Sequence, residues 1–183
     1  MQIKGLKIWL IIVAIIVVLG LLVGGSYLYN KYNTEQPLFK LYENVIEVKD
    51  FELKQEDNKL EIALELNKVQ NLQNFYQEVD TETKEILANQ EYTFILKGNT
   101  SEELEEISNE GQFVIYESLV KGNFREMATE LKNLAQANGA EAFVFMDENN
   151  VYIQIQKDDK YLYEVIEWQS NYSGDGMGRD NNA

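Results

Sequence analysis

Residues 142–168 read AFVFMDENNVYIQIQKDDKYLYEVIEW. Three runs in this stretch, Ala142–Met146, Val151–Gln156 and Tyr161–Trp168, are rich in aromatic and β-branched residues, and Asn149-Asn150 and Asp158-Asp159 separate them. Short β-prone runs divided by turn dipeptides predict an antiparallel meander of three strands. Side chains alternate across a strand, so Val151, Ile153 and Ile155 share one face and Tyr152, Gln154 and Gln156 the other. The first set predicts a buried face. The second, with Trp168 nearby, is polar and aromatic, a composition suited to protein contact because tyrosine offers contact area at low entropy cost. Tyr152, Gln154, Gln156 and Trp168 are therefore the candidate interaction surface. The competing reading puts Tyr161 and Tyr163 in the core and leaves Tyr152 an isolated surface aromatic.

Upstream of the meander, Phe124, Met127, Leu131, Leu134 and Ala135 follow the spacing of one helical face, with Gly139 placed to end the helix. A second helix of roughly Gln70 to Ala88 carries Leu72, Phe75, Tyr76, Val79, Ile86 and Leu87 on one side. Between these two helices, Tyr92–Leu96 reads as a short strand and Ser101–Ile107 as a short acidic helix. Phe113–Val120 is an apolar run too short to assign by period. Earlier still, Leu60, Ile62, Leu64 and Leu66 alternate cleanly and predict a strand with one buried face. It pairs with a strand of about Val45–Lys54 through the turn Glu56-Asp57-Asn58. The alternation in that partner slips phase near Lys49-Asp50, which predicts a bulge.

Lys97-Gly98-Asn99-Thr100-Ser101-Glu102 is echoed by Lys121-Gly122-Asn123-Phe124-Arg125-Glu126. Each echo follows an apolar run and precedes a helical pattern, and Leu66-Asn67-Lys68 is a looser third instance. Glycine permits the turn, asparagine caps the helix, and the glutamate three residues on reaches back to the cap. The echo favours Phe113–Val120 as a strand and predicts three successive strand–turn–helix units. An anion-binding reading of these helix starts fails because each first turn carries an acid.

The amino-terminal region sets the architecture around this domain. Residues 8–25 read IWLIIVAIIVVLGLLVGG, and no charged residue occurs from Ile8 to Asn30. About 20 apolar residues in a helix span the hydrocarbon core of a bilayer. Trp9 lies at one end and Tyr27, Tyr29 and Tyr32 at the other, as interfacial anchors do. Lys4 and Lys7 precede the run without neighbouring acids and favour a cytoplasmic amino terminus. The rival is a cleaved secretory signal, with Gly24 and Ser26 at −3 and −1, but the apolar run exceeds the usual length of such a segment. The expected organisation is a cytoplasmic tail (1–7), a transmembrane helix (8–29), a stalk containing the only proline, Pro37 (30–41), an extracytoplasmic α+β domain (42–169) and a disordered tail (170–183). The domain is expected to be an α/β sandwich, a mixed, mainly antiparallel sheet covered by about three helices.

The composition excludes several chemistries. There is no histidine and no cysteine, which removes Ser-His-Asp and Cys-His catalysis, His/Cys zinc sites, thiol redox chemistry and lipid attachment at cysteine. The chain has 31 acids against 16 bases, a net charge of −15, and only two of those bases lie in the first thirty residues. A field of that sign repels nucleic acid, anionic head groups and acidic wall polymers. Ser118-Leu119-Val120-Lys121 matches the S-x-x-K of penicillin-binding proteins and β-lactamases. The companion S-D-N and K-T-G motifs are missing and the pair reads as coincidental. The tail residues Asp175, Asp180 and Asn181 do not fit the spacing of a calcium loop. No cofactor is expected.

A strand, a glycine join and a helix, as in Leu119-Val120-Lys121-Gly122-Asn123-Phe124, set after a short cytoplasmic tail and one span, resembles inner-membrane assembly proteins of pilus and type II secretion machines. The resemblance implies a small ferredoxin-like periplasmic domain and covers the general layout and these joins. The long coiled coil usual after the span is missing, and no functional residue carries over. The expected function is a membrane-tethered, non-enzymatic interaction or assembly module of a bacterial envelope, with membrane lipid around residues 8–29 and another membrane or envelope protein as partners. The alternatives are an extracytoplasmic ligand-binding or sensor domain signalling through a membrane partner, and a carboxylate-dependent hydrolase.

Overall fold

Leu60, Ile62, Leu64 and Leu66 point the same way from strand β2 (Lys59–Leu66) and are all buried. They fix one face of a first sheet. In the computed structural model residues 8–56, 59–88 and 90–168 are described. The expectations for the tail 1–7, for Asp57-Asn58 and for residues 169–183 lie outside the described residues, as do the side chains of Ile8, Leu10, Glu56 and residues 26–31.

Helix α1 (Ile8–Asn30) runs through a π-helical turn (Lys31–Glu35) into α2 (Gln36–Asn44), with Pro37 in the first turn of α2, where its missing N–H costs nothing. Leu38 and Tyr42 of α2 are fully buried, so part of the stretch read as a stalk belongs to the core. Strand β1 (Val48–Glu56) pairs antiparallel with β2, and its register slips between Val48 and Asp50, at the bulge the alternation predicts. Helix α3 (Leu72–Leu87) crosses over to β3 (Tyr92–Lys97), which pairs parallel with β2. Helices α4 (Glu102–Lys121) and α5 (Phe124–Ala137) follow. The chain closes with β4 (Glu141–Met146), β5 (Asn150–Lys157) and β6 (Lys160–Glu167), an antiparallel meander.

Two expectations need correction. Phe113–Val120 is helical and belongs to α4, so Lys121-Gly122-Asn123 joins two helices and the third strand–turn–helix unit does not exist. Leu104, Ile107, Ser108, Gly111, Ile115 and Ser118 recur at helical spacing on the buried side of α4. That frame is visible over 20 residues but not over the eight apolar ones read alone. Gly122 ends α4 at φ +73°, a conformation glycine adopts freely. At the first echo Ser101, rather than Asn99, caps α4, accepting from the Leu104 N–H at 3.4 Å. At the second, the Asn123 side chain makes no cap bond to the backbone, and Glu126 accepts from its side-chain amide at 2.6 Å.

The second correction concerns the sheet. The fold is α+β, and the described residues form five α-helices and two three-stranded sheets, β1-β2-β3 and β4-β5-β6, rather than one continuous sheet. The sheets meet at one corner, where the Tyr161 N–H donates to the Asn99 carbonyl at 3.1 Å. The corner is tight. A Cβ on Gly98 would lie 2.3 Å from the Tyr161 carbonyl oxygen, so only glycine fits there without a backbone shift.

Two cores result. In one, α2 and α3 cover the apolar face of the first sheet and also Tyr152 and Tyr163 of the second. In the other, α4 and α5 cover Val151, Ile153, Ile155 and Ala142. The second sheet is therefore buried on both faces, while Glu61, Glu65 and Lys54 hold the outer face of the first sheet in water. Polar ties cross between the sheets. Tyr163 accepts from the Val69 N–H at 2.7 Å and donates to the Asn67 carbonyl at 3.2 Å. Gln154 donates to the Val69 carbonyl at 2.7 Å. Tyr163→Phe leaves the buried Val69 N–H unpaired and is expected to lower unfolding free energy by about 1–3 kcal/mol in urea titration. A change within error of zero would show that the tie is replaced by water.

Helix α1 exposes Trp9 and the apolar residues 11–25 on all sides and touches little beyond the π-turn that follows it. Among the described residues no helix is long and apolar enough to cross a membrane. The described side chains of α1 form a run shorter than the roughly 20 residues a crossing takes.

Candidate functional site

Between the start of β3 and the end of β6 the two sheets leave a cleft of about 890 Å³, floored by α3 and closed at one side by the β4–β5 turn. Helix α3 presents Tyr76, Gln77, Asp80, Thr81 and Lys84 to it, positions three or four apart on one side of the helix. Strand β3 contributes Tyr92, whose hydroxyl donates to Asp80 Oδ1 at 2.5 Å, while Lys84 pairs with Asp80 Oδ2 at 2.6 Å.

The turn Asp147-Glu148-Asn149-Asn150 builds the opposite wall. Asp147 Oδ1 accepts from the backbone N–H groups of Asn149 (2.9 Å) and Asn150 (2.8 Å), an Asx-type turn. Its Oδ2 accepts from the Tyr152 hydroxyl at 2.7 Å and from Gln77 at 2.8 Å, so one carboxylate ties β5, α3 and the turn together. The Trp168 indole donates to the Asp147 carbonyl at 3.2 Å. Tyr76 meets Tyr152 and Phe94 edge to face, with ring centroids 5.5 and 5.4 Å apart.

This environment sets the ionisation of the cleft. Burial works against charge on Asp147, but hydrogen bonds from Tyr152, Gln77 and two backbone amides outweigh it and hold the carboxyl at about 2. Burial, reinforced by nearby Asp80, pushes Tyr76 up to about 12. Tyr92 and Tyr152 move upward as well, first through burial and then because each donates to a carboxylate whose charge opposes its own. General acid–base catalysis works best with groups that titrate near the working pH. The shifted groups here move away from neutrality in both directions, so they present fixed charge and fixed donors.

A larger groove of about 1060 Å³ runs between α2 and α3. Within it Asn44 donates to the Lys40 carbonyl and Asn71 accepts from the Asn74 N–H, each inside its own segment. The chemistry is concentrated in the smaller cleft.

The candidate surface residues are not brought together on an open face. Tyr152 and Gln154 are 0% and 2% exposed, because α3 and the Val69 segment cover the face of β5 read as available to a partner. Gln156 lies at the far end of β5 and donates to Glu141 at 2.9 Å. Trp168 packs at a tilt against Phe124, with ring centroids 4.6 Å apart, and borders the cleft together with Tyr152. The closed face is a correction to the candidate contact surface, and its cause is tertiary. The residues that sequence reasoning missed are Asp147, Asp80, Tyr76 and Tyr92. Asp147 preceding Asn149-Asn150 is a recognisable Asx turn, and Tyr76, Asp80 and Lys84 share a helical stripe, yet nothing in either signal joins the two.

Ser118 is buried on the inner side of α4, whereas Lys121 is exposed and paired with Glu117. The S-x-x-K pair therefore forms no joint site. Among the described residues no group of three metal-ligating side chains converges. The chain matches no protein-family model, and no curated protein is similar enough to count as a relative.

Proposed function

We propose that the chain is a membrane-tethered, non-enzymatic interaction module in which residues 8–29 cross a membrane with the amino terminus in the cytoplasm. The domain then works outside the cytoplasm of a bacterial cell by holding another membrane or envelope protein. The observation that carries the tether is α1, a 23-residue helix whose described side chains, Trp9 and residues 11–25, are exposed and almost all apolar. Apolar side chains exposed all round a helix call for a covering, and a bilayer is the covering proposed here, with the uncharged sequence from Ile8 to Asn30 as its support. Tethering raises local concentration, so weak contacts suffice. The non-enzymatic half is supported by the fixed ionisation of the cleft and by the missing histidine and cysteine.

The test is fractionation followed by gentle purification of the full chain. The protein is expected to stay with alkaline-washed membranes, to lose its domain to protease added from outside, and to copurify with one envelope protein in a fixed ratio. Release on washing, or a mature chain beginning after Ser26, overturns the tether. Recovery of the chain alone overturns the interaction role, and sugar-polymer cleavage abolished by one carboxylate substitution would replace it with a hydrolase.

One observation favours the sensor reading as the alternative. The helical path from α1 through the π-turn to α2 is unbroken, and Tyr42 of α2 bonds Thr83 of α3 at 2.9 Å inside the core. A ligand acting on the domain has a stiff connection to the membrane. A large thermal shift with a single small ligand would favour it over the assembly role.

A further inference from the structure

The cleft has an open strand along its margin. β3 pairs with β2 on one side only, and among the described residues the corner bond from Tyr161 to Asn99 is the sole backbone link across its other side. The Leu60 N–H bonds to the Glu91 carbonyl, which sets the alternation of the parallel ladder. Glu91, Thr93 and Ile95 therefore bond to β2, and the N–H and C=O groups of Tyr92 and Phe94 point outward into the opening. Free edges of this kind accept an added strand, and folds normally blunt them. β1 is blunted by its bulge. The cleft end of β3 carries neither bulge nor proline nor lysine.

Charge decides what such an edge would accept. Asp80, Glu91, Asp147 and Glu167 border the cleft, against Lys59 and Lys84, and Lys84 is already paired with Asp80. Asp147 is fully ionised at neutral pH. A second copy of this chain, at −15, is repelled.

We propose that the outer edge of β3 is a docking site for an extended, lysine- or arginine-bearing segment of a partner protein. The segment adds as a strand to Tyr92 and Phe94, with its cations facing Asp147 and Glu167. The backbone supplies the pairing and alternate side chains the selectivity, as in other strand-addition complexes. The Tyr92 bond to Asp80 and the Tyr76–Phe94 contact hold this part of β3 in place before the segment arrives. The proposal deepens the interaction-module reading and does not depend on the membrane anchor.

The experiment uses the full chain in detergent with a capped ten-residue peptide of alternating lysine and valine, and a glutamate–valine peptide as its counterpart. The lysine peptide is expected to bind at least about tenfold more tightly at low salt and to lose that advantage as salt rises. It should slow hydrogen exchange at the Tyr92 and Phe94 amides while leaving those of β1 and β4 unchanged. Both Glu91 and Glu167 are exposed, so the double variant E91K/E167K keeps the fold and is expected to reverse the preference. Equal affinity for the two peptides, protection at β1 or β4 instead, or protection of β3 by self-association without peptide would overturn the proposal. A copurifying envelope protein that shields another surface would leave the module reading standing and sink this one.

Discussion

Replacing Gly98 with alanine is expected to lower the unfolding free energy by about 3 kcal/mol, the upper part of the range for overpacking. Gly98 lies after the end of β3, in a turn with little apolar burial, where a surface substitution ordinarily changes stability by less than about 0.5 kcal/mol. The difference lies in what the added carbon meets. Its nearest neighbour would be the Tyr161 carbonyl oxygen at 2.3 Å, followed by the Tyr161 carbonyl carbon and ring at 3.1 Å. Backbone atoms cannot swing aside as a lysine tip can, so β3 and β6 must separate. Separation breaks the Tyr161–Asn99 backbone bond and strains the ties from Asn99 to Asp159 and from Lys160 to Asn99, at 3.0 Å each. Urea unfolding of the full chain in detergent measures the loss, with Asn99→Ala as a comparison that removes side-chain ties without the clash. A Gly98→Ala protein as stable as the parent would mean that the two sheets do not meet where described.

Alkali is expected to unfold the domain between about pH 10 and 12. Burial raises Tyr42, Tyr76 and Tyr163 each to about 12 from an ordinary value of 10, and Tyr92 and Tyr152 also move upward. A group whose folded value is raised holds its proton more tightly when folded. Its contribution is complete below the unfolded value and disappears as pH climbs toward the folded one. For the fully buried Tyr42 the shift amounts to about 3 kcal/mol, and four further tyrosines act in the same direction. Together they approach the whole stability of an ordinary domain. Circular dichroism and tyrosinate absorbance followed against pH should change in one cooperative step. Tyr42→Phe should flatten the pH dependence at the cost of the Thr83 bond. Stepwise ionisation near pH 10 with the fold intact would refute the shifts. On the acid side Asp147 acts in the opposite sense, contributing above its unfolded value near 3.8 and losing that contribution as pH falls toward 2.

Much of the local structure was legible because it depends on near neighbours. The Asp158-Asp159 turn sits where the meander predicts it, with Lys157 paired to Lys160 and Asp158 in the left-handed region at φ +55°. The β1 bulge and the helices around Phe75 and Leu131 follow equally from spacing within one element. Phe113–Val120 misled because its outward side chains are apolar. Phe113, Tyr116 and Val120 are 81%, 59% and 88% exposed on α4, so within the run the apolar residues do not mark the buried helical face, and the echo at Lys121-Gly122-Asn123 tips the reading toward a strand.

Composition and period by themselves determined an uncharged amino-terminal helix, an acidic α+β domain and the exclusion of histidine and cysteine chemistry, because these are properties of single residues or of repeats within one element. Only the tertiary structure decided that Tyr152 and Gln154 are sealed beneath α3, that two sheets share a corner at Gly98, and that Asp147 and Asp80 face one cleft. The residues that meet there come from α3, β3 and the β4–β5 turn, about 70 positions apart in the chain, as the Gln77–Asp147 bond shows. Side-chain alternation tells which residues share a face of a strand. It carries no information about which element will later cover that face.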